Sequence, residues 1–302
     1  MDVDIIGVPM DFGQGRRGVD MGPSAIRYAG LREGIESVGH RIHDSGNVRV
    51  PIPEMCRSND SRLRNVDCVV PVARDLMEQV AAVIEEGHFP IVLGGDHSLS
   101  LGSVRGAARR KVLGLIWVDA HGDFNTYETT PSGNIHGMPL AALAGLGHDR
   151  LVFLDDPEAG SGPRAAVDPT RIAIVGARDL DEREKDNLRS TGVRVFSMHE
   201  IDSLGLNTVM QQAIDIATRG TDGVYLSIDM DGIDPLYAPG VGTAVQGGLT
   251  YREAHLICEM LAETGKVLGL DVVEVNPILD ERNRTAQLAV ELVASTLGKR
   301  VW

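Results

Sequence analysis

Short, continuously apolar runs alternate with longer helical patterns along most of the chain, and this alternation constrains the fold more than any other feature. Apolar runs without a polar face predict parallel strands that are covered on both sides. The predicted strands are Asp2–Val8, Arg41–Asp44, Pro90–Leu93, Leu113–Asp119, Arg171–Val175, Val193–Ser197, Val224–Asp229 and Val267–Glu274. The predicted helices are Ser24–Val38, Ser61–Glu86, Asn207–Thr218, Thr250–Glu263 and Glu281–Leu297.

This order of elements predicts an α/β fold, a three-layer α/β/α sandwich around a central parallel sheet of about eight strands. The chain has 302 residues and shows no internal repeat and no linker at which it could be divided. We therefore expect a single domain over residues 1–302. The most irregular stretch, Asp155–Pro169, is expected to be a surface loop.

Charge and composition exclude several classes of function. The chain carries 43 acidic against 29 basic side chains, a formal charge of −14, which disfavours nucleic acids and anionic membranes as partners. No apolar stretch approaches the roughly 18 residues of a membrane-spanning helix, and the first residues lack a secretion signal. Three scattered cysteines, Cys56, Cys68 and Cys258, suit a reducing cytoplasm better than a disulfide scaffold.

The residues that follow the predicted strands are unusually rich in carboxylates and histidines. Ligands of such sheets bind beyond the carboxyl ends of the strands. The sequences found there are GGDHS (94–98), DAHGDFN (119–125), GARDLD (176–181), DMDGIDP (229–235) and EVNP (274–277). Five strands therefore deliver possible ligands to one edge of the sheet.

The spacing of these residues predicts a metal site. Residues two apart in an extended segment project to the same side, so Asp119, His121 and Asp123 converge, as do Asp229 and Asp231. Together with a histidine from the neighbouring turn they give four carboxylates and two imidazoles. The predicted ligands are His97, Asp119, His121, Asp123, Asp229 and Asp231.

Charge balance favours two divalent ions in this site. Four clustered carboxylates raise one another's pKa unless cations compensate them, and two divalent ions cancel four negative charges. An oxygen-rich site with some imidazole favours Mn²⁺ over metals that prefer thiolates. Asp234 precedes Pro235 and is interpreted as a turn residue, outside the metal set.

Two metal ions that activate a water molecule make hydrolysis the expected chemistry. The remaining acidic residues near the strand ends suit a cationic substrate. They are Asp179, Asp181, Glu184 and Glu274. Amide and hydroxyl groups at Asn125, Ser132 and Asn134 could bind a carboxylate, although turn chemistry explains them equally well. The pattern suggests a zwitterion with a cationic tail.

A glycine-rich segment, GQGRRG (13–18), matches the dinucleotide-binding pattern in its letters only. Four residues separate it from the first strand, and the helix start is marked later by Gly22 and Pro23. The dinucleotide pattern requires the glycines to form the strand–helix turn itself. We interpret the segment as a glycine-rich loop.

Taken together, these motifs resemble the signatures of the ureohydrolase family, the arginase/agmatinase superfamily. SGNIHGMP (132–139) and GTAVQGGLTYRE (242–253) belong to the same pattern, and the resemblance runs from residue 5 to residue 286. Within the family it is strongest to bacterial-type arginases. The resemblance implies a binuclear manganese site that hydrolyses L-arginine to L-ornithine and urea through a metal-bridging hydroxide.

The resemblance also implies roles for individual residues. The ligands implied for one ion are His97, Asp119, Asp123 and Asp231. Those implied for the other are Asp119, His121, Asp229 and Asp231, so that Asp119 and Asp231 bridge the two. Asp123 is counted among the catalytic residues as well.

Further roles carry over to the substrate side of the site. His136 matches a proton-shuttling histidine, Glu274 matches the carboxylate that holds the guanidinium group, and Thr243 lies beside it. The implied α-carboxylate contacts are Asn125, Ser132 and Asn134. The implied α-amino contacts are Asp181 and Glu184, whereas Asp179 is interpreted as structural.

One departure from the family pattern is visible: Ala244 stands where the family usually has proline. Loss of that ring should loosen the loop that presents Thr243. The alternatives are an agmatinase or another guanidino-compound ureohydrolase, a binuclear phosphoesterase, and a non-catalytic metal-dependent binding protein. Ser132 and Asn134 favour arginine, because agmatine lacks an α-carboxylate. The family also suggests a homo-oligomer, a trimer or a hexamer.

Overall fold

A computed structural model describes residues 1–56, 60–155 and 164–300. Eight strands form one sheet in the order β2-β1-β3-β8-β7-β4-β5-β6, and every paired neighbour is parallel. The strands are β1 Asp2–Val8, β2 Arg41–Asn47, β3 Phe89–Gly94, β4 Leu113–Val118, β5 Ile172–Ala177, β6 Arg194–Ser197, β7 Gly223–Asp229 and β8 Val267–Val273. The predicted parallel α/β sheet is confirmed.

Eleven α-helices lie in the described ranges. They are α1 Gly22–Tyr28, α2 Leu31–Ser37, α3 Val66–Glu85, α4 Ser100–Ala108, α5 Pro139–Leu143, α6 Asp149–Phe153, α7 Glu182–Thr191, α8 Met198–Leu204, α9 Leu206–Thr218, α10 Tyr251–Thr264 and α11 Arg284–Thr296. The helix predicted over Ser24–Val38 is broken in two, because Gly30 adopts φ +92° between the halves. The helix predicted from Ser61 begins only after Asn65, which has φ +59°.

Two apolar clusters cover the two faces of the sheet. Trp117 and Tyr225 belong to the cluster under α3 and α4, whereas Ile116 and Leu226 belong to the cluster under α9, α10 and α11. The alternation along β4 and β7 follows from the two-residue period of a strand. Both faces of the central strands are therefore buried, whereas the edge strand β2 is polar and mostly exposed.

The strand order brings the ligand-bearing segments together. β3, β8, β7, β4 and β5 are consecutive neighbours in the sheet. The parallel arrangement puts their carboxyl ends at one edge, where the predicted site residues follow each strand. The topology alone thus converts five separated sequence motifs into one cluster.

One expectation about the cysteines is wrong. Cys56 and Cys68 form a disulfide with a Cα–Cα distance of 6.0 Å, and only the buried Cys258 is a free thiol. The turn between residue 60 and α3 doubles the chain back, so two cysteines that look scattered in sequence become neighbours. The pairing weakens the inference of a reducing compartment.

One other expectation concerns a segment that is only partly described. Most of the predicted loop at Asp155–Pro169 lies outside the described residues, since positions 156–163 are not described. Asp168 begins a short 3-10 turn over Pro169–Arg171. Across the described ranges, no helix is both long enough and apolar enough to cross a membrane.

Candidate metal centre and active site

Asp119 lies at the centre of the site, at the end of β4, and is fully buried. Its Oδ2 accepts a hydrogen bond from the Trp117 indole (3.0 Å) and lies 3.3 Å from His97 Nδ1. Its Oδ1 accepts from the His121 main-chain N–H (2.7 Å) and lies 3.4 Å from His121 Nδ1. Each oxygen of this carboxylate therefore faces a different imidazole, as a bridging ligand requires.

His97 is held in an orientation suited to metal binding. Its ring stacks on Trp117 with centroids 3.9 Å apart, and its Nε2 lies 2.8 Å from Ser227 Oγ. Its buried Nδ1 makes no hydrogen bond to any described residue. Three carboxylate oxygens face that atom: Asp119 Oδ2, Asp123 Oδ2 (3.0 Å) and Asp229 Oδ2 (3.1 Å). An unpaired imidazole nitrogen among carboxylate oxygens fits a divalent cation.

The second half of the centre is built around His121. Its Nδ1 lies 3.1 Å from Asp231 Oδ2, which also accepts a hydrogen bond of 2.7 Å from Thr243 Oγ1. The main-chain N–H of Asp231 donates to Asp229 Oδ1 (2.8 Å), which fixes the two aspartates relative to each other. Two groups of potential ligands result, one of His97, Asp119 and Asp229, the other of Asp119, His121 and Asp231.

This grouping differs from the division of ligands that the family resemblance implies, and the assignment of ligands to each ion stays a prediction. The structure places Asp229, and not Asp231, beside His97, because Asp229 ends β7 whereas Asp231 lies two residues farther into the turn. Asp119 remains the residue shared by both groups. The six predicted ligands all lie in the centre, but their pairing with the two histidines differs.

The electrostatics of the centre show an excess of negative charge. Burial raises the pKa of Asp229 well above its usual value, and the charges of Asp231 and Asp119 raise it further. Burial and Asp119 also raise the pKa of Asp123 to about 6. Burial lowers the pKa of His121, but Asp231 and Asp119 outweigh it and the net shift is upward. The protein alone therefore supplies too little positive charge for these carboxylates, which fits the binding of two divalent cations.

Two of the predicted catalytic residues have an unusual backbone conformation. Asp123 has φ +49° and Glu274 has φ +64°, both in the left-handed region. Residues other than glycine occupy that region at a cost of about 1–2 kcal/mol. The surrounding hydrogen bonds maintain the strain, since Glu274 N donates to Gly95 O (2.9 Å) and Asp123 O accepts from Leu140 N (3.1 Å). Such strain is typical of functional sites.

Glu274 is fully buried beneath His136. Its Oε1 accepts from the His97 main-chain N–H (3.0 Å) and lies 3.2 Å from His136 Nδ1, and its Oε2 accepts from Gln14 Nε2 (2.9 Å). Burial lowers the pKa of His136, but the hydrogen bond and charge of Glu274 outweigh it and raise that pKa to about 9. His136 thus carries a proton at neutral pH in the metal-free protein.

A cavity of about 150 Å³ opens above the metal centre. His136 and the predicted ligands His121, Asp123, Asp229 and Asp231 form part of its wall. All six predicted substrate-binding residues line it as well: Asn125, Ser132, Asn134, Asp181, Glu184 and Thr243. Asp179, interpreted as structural, is exposed and also lines it, whereas the buried Glu274 does not.

Some of these lining residues already have partners within the protein. Asn125 Nδ2 donates to Asp181 Oδ2 (2.8 Å). Glu184 accepts from the main-chain N–H groups of Phe124 (2.7 Å) and Asp181 (3.1 Å) and completes the capping box of α7. Glu184 therefore has a structural function beyond the interpretation as an α-amino contact. Asn134 Oδ1 is buried and makes no hydrogen bond to a described residue.

Several residues outside the predicted ligand and substrate-binding sets support the site. Asp96 accepts from the Gly13 main-chain N–H (2.9 Å) and so attaches the glycine-rich loop to the end of β3. Gln14 of that loop donates to Glu274 Oε2 (2.9 Å). Asp234 accepts from the N–H groups of Gly247 (2.8 Å) and Gly248 (3.1 Å), in agreement with its interpretation as a turn residue.

Comparison with known proteins identifies the family. The sequence profile of the Arginase family matches residues 1–298. The chain belongs to the arginase family. It is 50% identical to the arginase of Bacillus caldovelox over 301 residues, covering 99% of each chain.

Solved structures of arginases agree with this assignment. The arginase of Bacillus cereus has a TM-score of 0.93 at 52% identity, with 100% of both chains covered. The arginase of Entamoeba histolytica, solved in complex with L-ornithine, has a TM-score of 0.88 at 30% identity, with 99% of both chains covered. This arginase-family chain is a hydrolase, and its two ligand groups fit a binuclear metal site.

Proposed function

We propose that this arginase-family protein hydrolyses L-arginine to L-ornithine and urea with two Mn²⁺ ions. The observation that carries the proposal is the unpaired His97 Nδ1, which faces three carboxylates, one of them shared with His121. His97, Asp119, Asp123 and Asp229 would hold one ion, and Asp119, His121 and Asp231 the other. When bound, the ions lower the pKa of a water molecule and supply a nucleophile near neutral pH.

His136 is the proposed proton donor to the departing amine. It lines the cavity and is protonated at neutral pH in the metal-free protein. Glu274 accepts from Nδ1, which leaves Nε2 as the second donor position of the imidazolium. Departure of an amine requires a proton, and a histidine on the cavity wall can deliver it and be recharged by solvent.

The acidic wall of the cavity supports a cationic substrate. Asp181 and Glu184 line it together with Ser132 and Asn134. The exposed Ser132 hydroxyl and the Asn134 amide are suited to an α-carboxylate, whereas Asp181 is suited to an α-amino group. The Entamoeba histolytica relative, which binds L-ornithine, supports an amino acid with both groups as the ligand.

A urea assay on metal-stripped protein tests the substrate and the metal together. Arginine, agmatine and guanidinobutyrate are offered separately, with Mn²⁺, Co²⁺ or Fe²⁺ added back one at a time. We expect urea from arginine with Mn²⁺ and little from agmatine, which cannot use Ser132 and Asn134. Faster turnover of agmatine would favour the agmatinase alternative, and hydrolysis of an aryl phosphate without urea release would favour a phosphoesterase.

Three further proposals rest on the sequence and the family. We propose a homo-oligomer, a trimer or hexamer, on the family resemblance. We propose a single domain over residues 1–302, supported by the one continuous eight-stranded sheet. We propose a cytoplasmic location from the composition of the chain, although the Cys56–Cys68 disulfide is unusual there.

A further inference from the structure

Arg178 binds an unusual set of partners next to the metal centre. It follows β5 directly, and its guanidinium group donates five hydrogen bonds, all to main-chain carbonyls. Among the described residues, no carboxylate lies within 4.0 Å of its guanidinium nitrogens. An arginine whose hydrogen bonds all go to main-chain carbonyls fixes backbone segments relative to one another.

The carbonyls belong to three segments of the site. Nη1 donates to Gly176 at the end of β5 (3.2 Å) and to Gly232 (3.0 Å). Nη2 donates to the carbonyl of Asp231 (2.7 Å) and to that of Val245 (2.8 Å), which also accepts from Nε (3.3 Å). The guanidinium group therefore joins the metal-bearing turn after β7 to the middle of the loop over residues 242–249.

That loop is anchored at both ends independently of Arg178. At its start, Thr243 Oγ1 donates to Asp231 Oδ2 (2.7 Å), and at its end Asp234 accepts from the N–H groups of Gly247 and Gly248. Between these anchors stands the exposed Ala244, where the family usually has proline. Arg178 is thus the side chain that holds the middle of the loop, at the point where this sequence lacks a ring restraint.

We propose that Arg178 is a positioning residue, which holds the loop over residues 242–249 on the metal-bearing turn and so keeps Thr243 on the cavity wall. Its effect on substrate affinity rests on the proposed arginine hydrolysis. Its effect on the loop does not, because these hydrogen bonds join protein groups only. Arg178 acts through the planar guanidinium group, which donates several hydrogen bonds at fixed angles. A lysine, which has the same charge but a different shape, does not replace it.

Hydrogen exchange in the metal-free protein tests the effect on the loop. Arg178→Lys keeps the positive charge but cannot donate to all four carbonyls. Arg178→Met removes the charge and all of the hydrogen bonds. We expect amide exchange in residues 242–249 to be about tenfold faster in both variants, as the loss of charge-assisted hydrogen bonds predicts. Arg74→Met is the matched control, because within the described part of the chain Arg74 also donates only to a main-chain carbonyl, that of Leu154, outside the site.

Steady-state kinetics with Ala244→Pro test whether the position of the loop affects the binding of substrate. In the manganese-loaded enzyme, we expect Arg178→Met to raise the KM for arginine about tenfold while kcat changes less than about threefold. Adding Ala244→Pro to Arg178→Met should recover most of that loss, because the proline ring restores a restraint on the loop. Ala244→Pro alone should change KM little, since Arg178 already holds the loop.

The outcomes separate this proposal from the proposed function. If the wild-type chain releases no urea from arginine, the proposed substrate is wrong, and the exchange experiment still decides the function of Arg178. Wild-type exchange in the loop of Arg178→Lys would contradict positioning by the guanidinium fork. If Ala244→Pro changed the KM by the same factor in the wild-type protein and in Arg178→Met, Arg178 and a proline at position 244 would not act on the same loop, which would contradict the proposal.

Discussion

Two sets of buried carboxylates can be compared, the single Asp271 inside β8 and the cluster at the strand ends. Their oxygens have different kinds of partner. Asp271, inside β8, is fully buried and accepts from Ser100 Oγ (2.8 Å), Ser103 Oγ (2.6 Å) and the Tyr225 hydroxyl (2.7 Å). The strand-end cluster, Asp119, Asp123, Asp229 and Asp231, is just as buried but has two imidazoles among its nearest partners.

The difference shows what identifies a metal site. Burial raises the pKa of Asp271, as it does that of Asp229, so a shifted pKa does not distinguish the two environments. What distinguishes them is the supply of donors. Asp271 has three hydroxyl donors for its two oxygens, whereas in the strand-end cluster three carboxylate oxygens surround His97 Nδ1, which makes no hydrogen bond to a described residue. A cluster with surplus acceptors calls for cations, and a carboxylate with enough donors does not.

Replacing an aspartate by asparagine in each of the two sets should give the largest difference in arginine turnover. We expect Asp119→Asn to lower arginine turnover by about a thousandfold or more, about 4 kcal/mol, because Asp119 serves both ligand groups. Asp271→Asn should keep two ions per chain and most of the turnover. Urea release and metal content of the purified variants measure both effects. Loss of metal from Asp271→Asn but not from Asp119→Asn would reverse the comparison.

Glu184 offers an intermediate case, since two main-chain N–H groups satisfy it but burial still raises its pKa to about 7. A folded-state pKa above the unfolded value means that the native state binds the extra proton. The stability that this group contributes is present below about pH 4.5 and is lost as the pH rises to 7, at most about 3 kcal/mol.

Urea unfolding of metal-free protein between pH 4 and pH 8 measures this loss. Glu184→Gln should flatten the fall in stability, whereas Glu182→Gln on the same helix should leave it unchanged, because Glu182 is exposed. An unchanged fall in Glu184→Gln would show that Glu184 does not retain the proton in the folded state.

Added metal should stabilise the protein only through the strand-end cluster. At a free Mn²⁺ concentration 100 times the Kd of one site, linkage predicts about 2.7 kcal/mol. Asp231→Asn should lose much of that increment, and Asp271→Asn should retain all of it. Thermal unfolding with and without Mn²⁺ provides the measurement, and an equal increment in both variants would contradict the comparison.

The smallest effect is a difference of sign in the metal-free protein. Asp229→Asn removes a carboxyl group whose ionised form is disfavoured by burial and by the neighbouring carboxylates, and should raise the free energy of unfolding by about 1 kcal/mol. Asp271→Asn leaves hydroxyl donors without an acceptor and should lower it by about 1–2 kcal/mol. Denaturant unfolding of both chelated variants checks the signs, and stabilisation by Asp271→Asn would remove the distinction between the sets.

The strands were predictable because their signal is local. β1 is observed over Asp2–Val8, as its apolar run predicts, and the other strands differ only at their ends. The shorter helices were not predicted. In α4 two glycines, Gly102 and Gly106, allow close packing against α3 and weaken the helical pattern. In α7 the residues are almost all polar, so its capping box is the main local signal.

The site was predictable to the extent that its residues carry ligand chemistry at fixed spacing. The predicted ligands and cavity residues lie together, but their pairing across β3, β4 and β7 depends on tertiary geometry. Arg178 was missed because it donates only to main-chain carbonyls, which leave no pattern in the sequence. Gln14 was missed because its partner, Glu274, lies 260 residues away along the chain. The Cys56–Cys68 pairing was missed because it depends on a turn.

The central claim is that the strand-end cluster holds two metal ions and shares Asp119 between them. Anomalous diffraction from crystals of the manganese-loaded protein tests it most directly. The account predicts two anomalous peaks on either side of Asp119, one next to His97 and Asp229 and the other next to His121 and Asp231. A single peak, or strong peaks only outside this cluster, would contradict it.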